Sequence, residues 1–105
     1  MKKEYNKLVR DLIPRIIEKS GKKCTVRILP EKAYLAKLLE KLDEEVAEYK
    51  ESHNHEELAD ILEVVYALAW ATDCSEQKLN ALRAAKACER GGFAEKILLE
   101  SVEET

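Results

Sequence analysis

Residues 42–70 read LDEEVAEYKESHNHEELADILEVVYALAW and contain two pairs of acidic residues, each pair spaced three residues apart. Neighbours at this spacing share one face of a helix. Residues 52–55 form a short polar break in which Asn54 is suited to cap a new helix. The two halves are therefore predicted to fold back as an antiparallel helical hairpin. The acidic pairs are Glu45 with Glu48 and Glu57 with Asp60.

The register of this hairpin places the two acidic pairs at the same height. Facing residues of an antiparallel hairpin have numbers with a constant sum, which holds for Glu45 with Asp60 and for Glu48 with Glu57. Four converging carboxylates repel one another unless protons, basic groups or bound cations offset their charge. The alternative is that these acids belong to solvated helix faces, as most charge runs do.

Length and composition predict one helical domain over residues 1–105. The chain is 37% charged and 46% hydrophobic, with three glycines and two prolines, a balance typical of helical domains with charged surfaces. The net charge of −3 gives no basic field for binding long nucleic acid. The sequence contains neither an apolar leader nor a long apolar run, so we expect no membrane partner and a cytoplasmic location. The three cysteines lack C-x-x-C spacing and are interpreted as free thiols.

Apolar periodicity predicts an all-α bundle of four to five helices. Pro14 is tolerated in the first turn of the first helix, and glycines end the first and last helices. The predicted helices span residues 11–21, 31–51, 55–71 and 76–89. Residues 24–29 and 97–99 are rich in β-branched or apolar side chains and are predicted to pair as a minor two-stranded β element.

The third predicted helix is apolar almost all round, so we expect it to be the most buried. Asp60 would then be costly unless it is paired or binds a metal. Trp70 on the same helix is interpreted as a core residue rather than as a platform for a nucleotide base.

Oxygen donors of this kind suit Mg²⁺, with Mn²⁺ as an alternative, whereas zinc prefers histidine or cysteine. A di-iron bundle is excluded because the chain has no Glu-x-x-His motif, and His53 and His55 fall in the polar break. Magnesium held by protein carboxylates commonly also binds substrate phosphates. The sequence therefore favours a phosphorylated ligand.

Residues 44–48, EEVAE, and residues 57–60, ELAD, resemble the EExxE and ExxD motifs of the MazG-like all-α nucleoside triphosphate pyrophosphohydrolases. That superfamily also includes phosphoribosyl-ATP pyrophosphohydrolase. Residues 5–11, YNKLVRD, and residues 89–93, ERGGF, resemble flanking segments of one small branch of the superfamily. The resemblance spans nearly the whole chain. Leu12 departs from it, because the branch pattern has a lysine at that position.

The resemblance implies a MazG-like bundle that hydrolyses a nucleotide between the α and β phosphates, a house-cleaning type of reaction that releases pyrophosphate. The implied magnesium ligands are Glu45, Glu48, Glu57 and Asp60. The implied catalytic carboxylates are Glu44, Glu45 and Glu48, with Glu44 supporting the ligands or contacting a basic group. Basic residues must hold the remaining phosphate charge, and the candidates are Lys7, Arg10, Lys86, Arg90 and Lys96.

Two other functions remain open at the level of sequence. The same acids could serve phosphoribosyl-ATP hydrolysis, or they could bind a cation in a non-catalytic interaction bundle. A homodimer or larger homo-oligomer is expected from the resemblance and from the excess of apolar helix surface.

Overall fold

The computed structural model describes residues 2–104, which form four helices. The helices are α1 (Ile13–Lys19), α2 (Glu31–Ser52), α3 (His55–Ala71) and α4 (Glu76–Arg90). The predicted all-α fold is confirmed, and each predicted helix agrees with an observed one to within about two residues at either end. None of the four helices is long and apolar enough to cross a membrane.

Local signals in the sequence explain the helix ends. The side chain of Asn54 accepts a hydrogen bond from the backbone N–H of Glu57 at 3.0 Å, and Ser75 accepts one from Lys78 at 3.1 Å. These bonds satisfy donors that the first turn of a helix leaves unpaired. Helix α4 ends at Gly91, whose φ of 84° is open to glycine without strain.

Helices α2 and α3 form the antiparallel hairpin, joined by only His53 and Asn54. His53 ends α2 in the left-handed conformation, with a φ of 56°. Leu38 of α2 and Val64 of α3 are the buried apolar residues within the described range. Helix α4 packs against α3, where the Tyr66 hydroxyl donates to Asn80 at 3.4 Å. Helix α1 packs on none of the other three helices.

The predicted β element is absent from residues 2–104, which contain no strand. Ile28 is 94% exposed, and Ile97 and Leu98 are exposed as well. A lone two-stranded ribbon is marginal in water because it buries too little apolar surface. Among the described residues, these segments lack a third element against which their apolar side chains could pack.

The prediction that α3 is the most buried helix holds in part, because α3 has the largest share of buried or half-buried residues among the four helices, but most of these residues are only half-buried. Val64 is its one buried residue, and Trp70 is 74% exposed rather than part of the core. Leu58 and Leu62 are also exposed. The physical reason is that α2 and α4 cover only part of the circumference of α3, and the remaining apolar face has no neighbour.

The single chain is open for its length. Its accessible surface is 9991 Å², whereas a compact monomer of this size exposes roughly 6,000 Å². Its radius of gyration is 18.6 Å, against about 13 Å for a compact domain. The apolar side chains of residues 91–104, much of α4, and Leu58, Leu62 and Trp70 of α3 therefore lie in contact with solvent.

Candidate metal centre

Three carboxylates from the two helices of the hairpin meet at one point. Glu45 projects from α2, and Glu57 and Asp60 project from the first turns of α3. Each offers an oxygen that lies within 4.8 Å of an oxygen of the other two. The predicted convergence of these three acids is therefore observed in the folded chain. We call Glu45, Glu57 and Asp60 the acidic cluster.

Two oxygens of the acidic cluster are buried without a donor. Glu45 is 6% exposed, and its Oε1 lies 3.4 Å from the ammonium of Lys41. Its Oε2 and the Oε2 of Glu57 have no hydrogen-bond partner. A buried carboxylate oxygen without a donor is costly, so it points to a missing proton or cation.

The pKa of Glu57 reflects its burial and the neighbouring negative charge. Burial, together with hydrogen bonds and repulsion from Glu48 and Glu45, raises the pKa of Glu57 to about 7. These hydrogen bonds require a proton on Glu57, because two ionised carboxylates have no donor between them. In the ionised state its Oε2 is therefore unpartnered. A divalent cation would replace that proton and remove the repulsion.

Glu48 lies beside the acidic cluster rather than within it. Its carboxylate acts on Glu57, but it is not one of the three groups that converge within 4.8 Å, and the residue is exposed. Glu45 and Glu48 are separated by about 60° around the helix axis. Once Glu45 points at α3, Glu48 faces the open side of the hairpin, so the predicted four-ligand arrangement is observed for three residues only.

Glu44 pairs with two lysines on the flank of the acidic cluster. Its Oε1 lies 3.0 Å from Lys7 Nζ and 3.5 Å from Lys41 Nζ. Burial opposes ionisation of Glu44, but the hydrogen bond from Lys7 and the charges of both lysines outweigh it and lower its pKa. The hydrogen bond to Glu44 correspondingly raises the pKa of Lys7. The expectation that Glu44 contacts a basic group thus agrees with this geometry.

Arg10 reaches the acidic cluster itself. Its Nη2 lies 2.6 Å from Oδ1 of Asp60, and both side chains are partly exposed. Lys7 and Arg10, two of the five predicted phosphate-binding residues, are therefore placed at the site by residues 6–10. Lys37 anchors this segment to α2 by donating to the carbonyl oxygen of Asn6 at 3.2 Å.

The other three predicted phosphate-binding residues do not contact the cluster. Lys86 and Arg90 lie exposed on α4, and Lys96 is exposed in the segment that follows it. Within residues 2–104, no ion pair or hydrogen bond joins them to the acids of the hairpin. The distance of these three residues from the site depends on where α4 packs. Spacing along the chain does not indicate that position.

Sequence reasoning did not assign a role to Lys37 or Lys41. The signal for Lys41 was present, because it precedes Glu44 and Glu45 by three and four residues on one helix. A cavity of about 110 Å³ lies between this part of α2 and the N-terminal segment, lined by Lys7, Leu8, Lys37, Glu40, Lys41 and Glu44. Ligand sites commonly measure roughly 300–1,000 Å³, so this cavity matches a phosphate group better than a nucleoside.

The donor set of the acidic cluster fits a hard divalent cation. It offers carboxylate oxygens from rigid helices, with no histidine or cysteine among them, a combination that favours Mg²⁺ or Mn²⁺ over zinc. The exposed side next to Glu48 leaves room for water or phosphate oxygens. Comparison with protein-family models, with curated proteins and with solved structures found no match to the chain.

Proposed function

We propose that the chain is a Mg²⁺-dependent nucleotide pyrophosphohydrolase that releases pyrophosphate and a nucleoside monophosphate. The observation that carries this proposal is the acidic cluster, with two buried oxygens that lack partners and two basic side chains beside it. The resemblance of residues 44–48 and 57–60 to the EExxE and ExxD motifs supports the choice of reaction. Mn²⁺ is the alternative cation.

In this proposal Glu45, Glu57 and Asp60 hold the cation from inside the hairpin, and Glu48 joins them from the exposed side. A bound Mg²⁺ would supply charge for the phosphate oxygens and make a coordinated water more acidic. The helices fix the carboxylates before substrate arrives, so little reorganisation is needed when charge develops. Lys41 holds Glu45 in place through its Oε1, leaving Oε2 directed to the site.

Glu48 has a second role in this proposal, and Lys7 and Arg10 act on the substrate. Glu48 is exposed and close to Glu57, and we assign it as the group that accepts the proton of the attacking water. The water oxygen forms a bond to the α phosphorus. The bond from that phosphorus to the oxygen that bridges the α and β phosphates breaks, and its electron pair leaves with pyrophosphate. Lys7 and Arg10 offset the charge of the phosphates. Glu44 orients Lys7 through their 3.0 Å hydrogen bond.

A second copy of the chain is proposed to complete the site. The small cavity at Lys7 and Glu44, on the flank of the acidic cluster, holds no space for a base and sugar, and the apolar face of α3 around Leu62 and Trp70 is exposed. Each chain exposes roughly 4,000 Å² more than a compact monomer, which is more than its half of an obligate homodimer interface that buries roughly 2,000–5,000 Å² in total. We therefore propose a homodimer or larger homo-oligomer in which α3 faces its counterpart.

A cytoplasmic location is also part of the proposal. Cys24, Cys74 and Cys88 are all free, which is the usual state of thiols in a reducing compartment.

Two alternatives use the same acids. Phosphoribosyl-ATP hydrolysis needs the same cation centre and differs only in the nucleotide. A non-catalytic cation-binding bundle is favoured by the small size of the cavity in the single chain. A panel of nucleoside triphosphates, deoxynucleotides and phosphoribosyl-ATP separates all three when pyrophosphate release is measured with and without Mg²⁺.

The decisive variant in this assay is Asp60→Asn, which removes one charge from the acidic cluster. We expect at least a hundredfold loss of pyrophosphate release with retained helical circular dichroism, because the cation loses a ligand while the packing stays the same. Asp43→Asn is the matched control, since Asp43 is an exposed acid of α2 outside the cluster. Absence of turnover with every nucleotide, under both Mg²⁺ and Mn²⁺, would overturn the enzymatic proposal.

A further inference from the structure

The negative charge of the acidic cluster and its flank is balanced by basic side chains of the same chain. Arg10 lies 2.6 Å from Asp60, Lys7 lies 3.0 Å from Glu44, and Lys41 reaches both Glu44 and Glu45. Lys41 belongs to α2, so it moves with the acids. Arg10 and Lys7 belong to the N-terminal segment, residues 6–10, which packs against the hairpin but is not part of either of its helices.

The N-terminal segment is attached by contacts that can exchange. Residues 6–10 have no helical structure, and α1, which follows them, packs on no other helix. The segment is held by the two ion pairs, by the hydrogen bond from Lys37 to Asn6, and by half-buried Leu8. Exposed ion pairs of this kind are weak, so the position of Arg10 is sensitive to any change in the charge around Asp60.

We propose that Arg10 is an internal counter-ion that occupies the cation centre when no cation is bound, and that cation binding displaces it onto the substrate phosphates. This inference rests on the proposed function, because it requires that the acidic cluster binds a divalent cation. The guanidinium is charged at every pH of interest. Its charge at Asp60 therefore repels an arriving divalent cation, which shares the same carboxylate.

The exchange gives Arg10 two opposing effects. Without a cation, it offsets the repulsion between Asp60 and its acidic neighbours. A bound cation neutralises part of the charge of Asp60, so its attraction for Arg10 falls. The guanidinium is then free to form bidentate hydrogen bonds to phosphate oxygens. The same residue therefore weakens cation binding and strengthens binding of the nucleotide.

The test uses the full chain and compares Arg10→Gln with wild type. We expect Arg10→Gln to bind Mg²⁺ about two- to fivefold more tightly in calorimetric titration, because a competing charge is gone. We expect kcat/KM for the best nucleotide to fall about tenfold or more, because phosphate contacts are lost. Arg15→Gln is the matched control, since Arg15 is an exposed arginine of α1 without a partner in the cluster. Arg10→Lys keeps the charge and should retain the wild-type Mg²⁺ affinity.

A spectroscopic measurement separates displacement from a merely structural role. The side-chain Nε–H resonance of Arg10, assigned by its loss in Arg10→Gln, should shift when Mg²⁺ alone is added, whereas that of Arg15 should not. Equal Mg²⁺ affinity in wild type and Arg10→Gln would overturn this inference and leave the proposed cation site intact. No Mg²⁺ binding by either protein would overturn the proposed function and this inference together.

Discussion

The α2–α3 hairpin and the C-terminal part of the chain differ in how far each buries its own side chains. The C-terminal part comprises α4 and residues 91–104. The hairpin buries Leu38, Val64 and Glu45 between its helices. Helix α4 has no buried residue, and residues 91–104 are exposed throughout, including Phe93 at 99%. Both regions are rich in apolar residues, so composition alone does not account for the difference.

The difference teaches that contacts within residues 2–104 bury side chains of the hairpin but leave those of the C-terminal part exposed, so in the proposed assembly the C-terminal part would gain its contacts from a second copy. The acidic cluster belongs to the first region. We therefore expect cation binding to persist when assembly is disrupted and nucleotide turnover to require it. Three predictions test this difference between the hairpin and the C-terminal part of the chain, beginning with the largest expected effect.

Leu62→Glu should break the assembly while leaving the hairpin folded. Leu62 is exposed on α3, so a charge there is tolerated in the monomer but costly inside an apolar interface. Light scattering coupled to size-exclusion chromatography should show a monomer, with circular dichroism and Mg²⁺ binding unchanged and turnover strongly reduced.

Lys50→Glu is the control for Leu62→Glu, since it places the same acidic side chain at an exposed polar position of α2. This variant should assemble as the wild type does. A wild-type protein that is already monomeric at micromolar concentration would contradict the proposal that the C-terminal part gains its contacts from a second copy.

The pH dependence of the hairpin should follow the raised pKa of Glu57, which is about 7. Because the pKa of Glu57 is higher in the folded than in the unfolded chain, protonation of Glu57 stabilises the cation-free fold at low pH. This contribution to the free energy of unfolding is lost as pH rises through about 7. Mg²⁺ must displace the same proton, so affinity should increase up to tenfold per pH unit below that value.

Thermal unfolding without cation and calorimetry with Mg²⁺, both from about pH 5 to 8, measure the two sides of this linkage. Glu57→Gln should remove much of the pH dependence from the unfolding curve. A cation affinity that is constant across this pH range would show that cation binding does not release a proton from Glu57.

The two helix caps give the smallest and most local effects. Asn54→Ala and Ser75→Ala each remove one capping bond, which stabilises a helix by about 1 kcal/mol. Asn54 caps α3 inside the hairpin, so its loss should lower the free energy of global unfolding.

Ser75 caps α4, where few buried contacts couple the helix to the rest of the chain. Its loss should accelerate amide hydrogen exchange in α4 alone. Equal effects of both substitutions on global unfolding would mean that α4 and the hairpin unfold as one unit.

The sequence predicted the hairpin well because its determinants are local. The helix spacing of the acids, the cap at Asn54 and the two-residue connection are all contained in residues 42–70, and together they fix the register that brings Glu45 and Asp60 together. The exposure of Glu48 was not predicted. Equal height on two helices says nothing about rotation around each axis, and that rotation decides which acids face inward.

What the sequence did not predict depends on neighbours distant along the chain or absent from it. The expected burial of Trp70 and the expected pairing of residues 24–29 with residues 97–99 both require a surface that residues 2–104 do not provide. The assignment of Lys86 and Arg90 to the phosphates requires a particular docking of α4. The resemblance to the MazG-like enzymes supplied the reaction class, which remains a proposal.

The two-residue turn at His53 and Asn54 also has a consequence for the order of folding. Because the hairpin's contacts are close in sequence, it should form on the microsecond-to-millisecond timescale, before α4 docks. Glu45 and Asp60 then approach each other early, and their repulsion opposes the closing chain. A divalent ion that lowers this repulsion in the transition state should accelerate refolding more than it slows unfolding. In that role the cation would act as part of the folding nucleus as well as of the mature site.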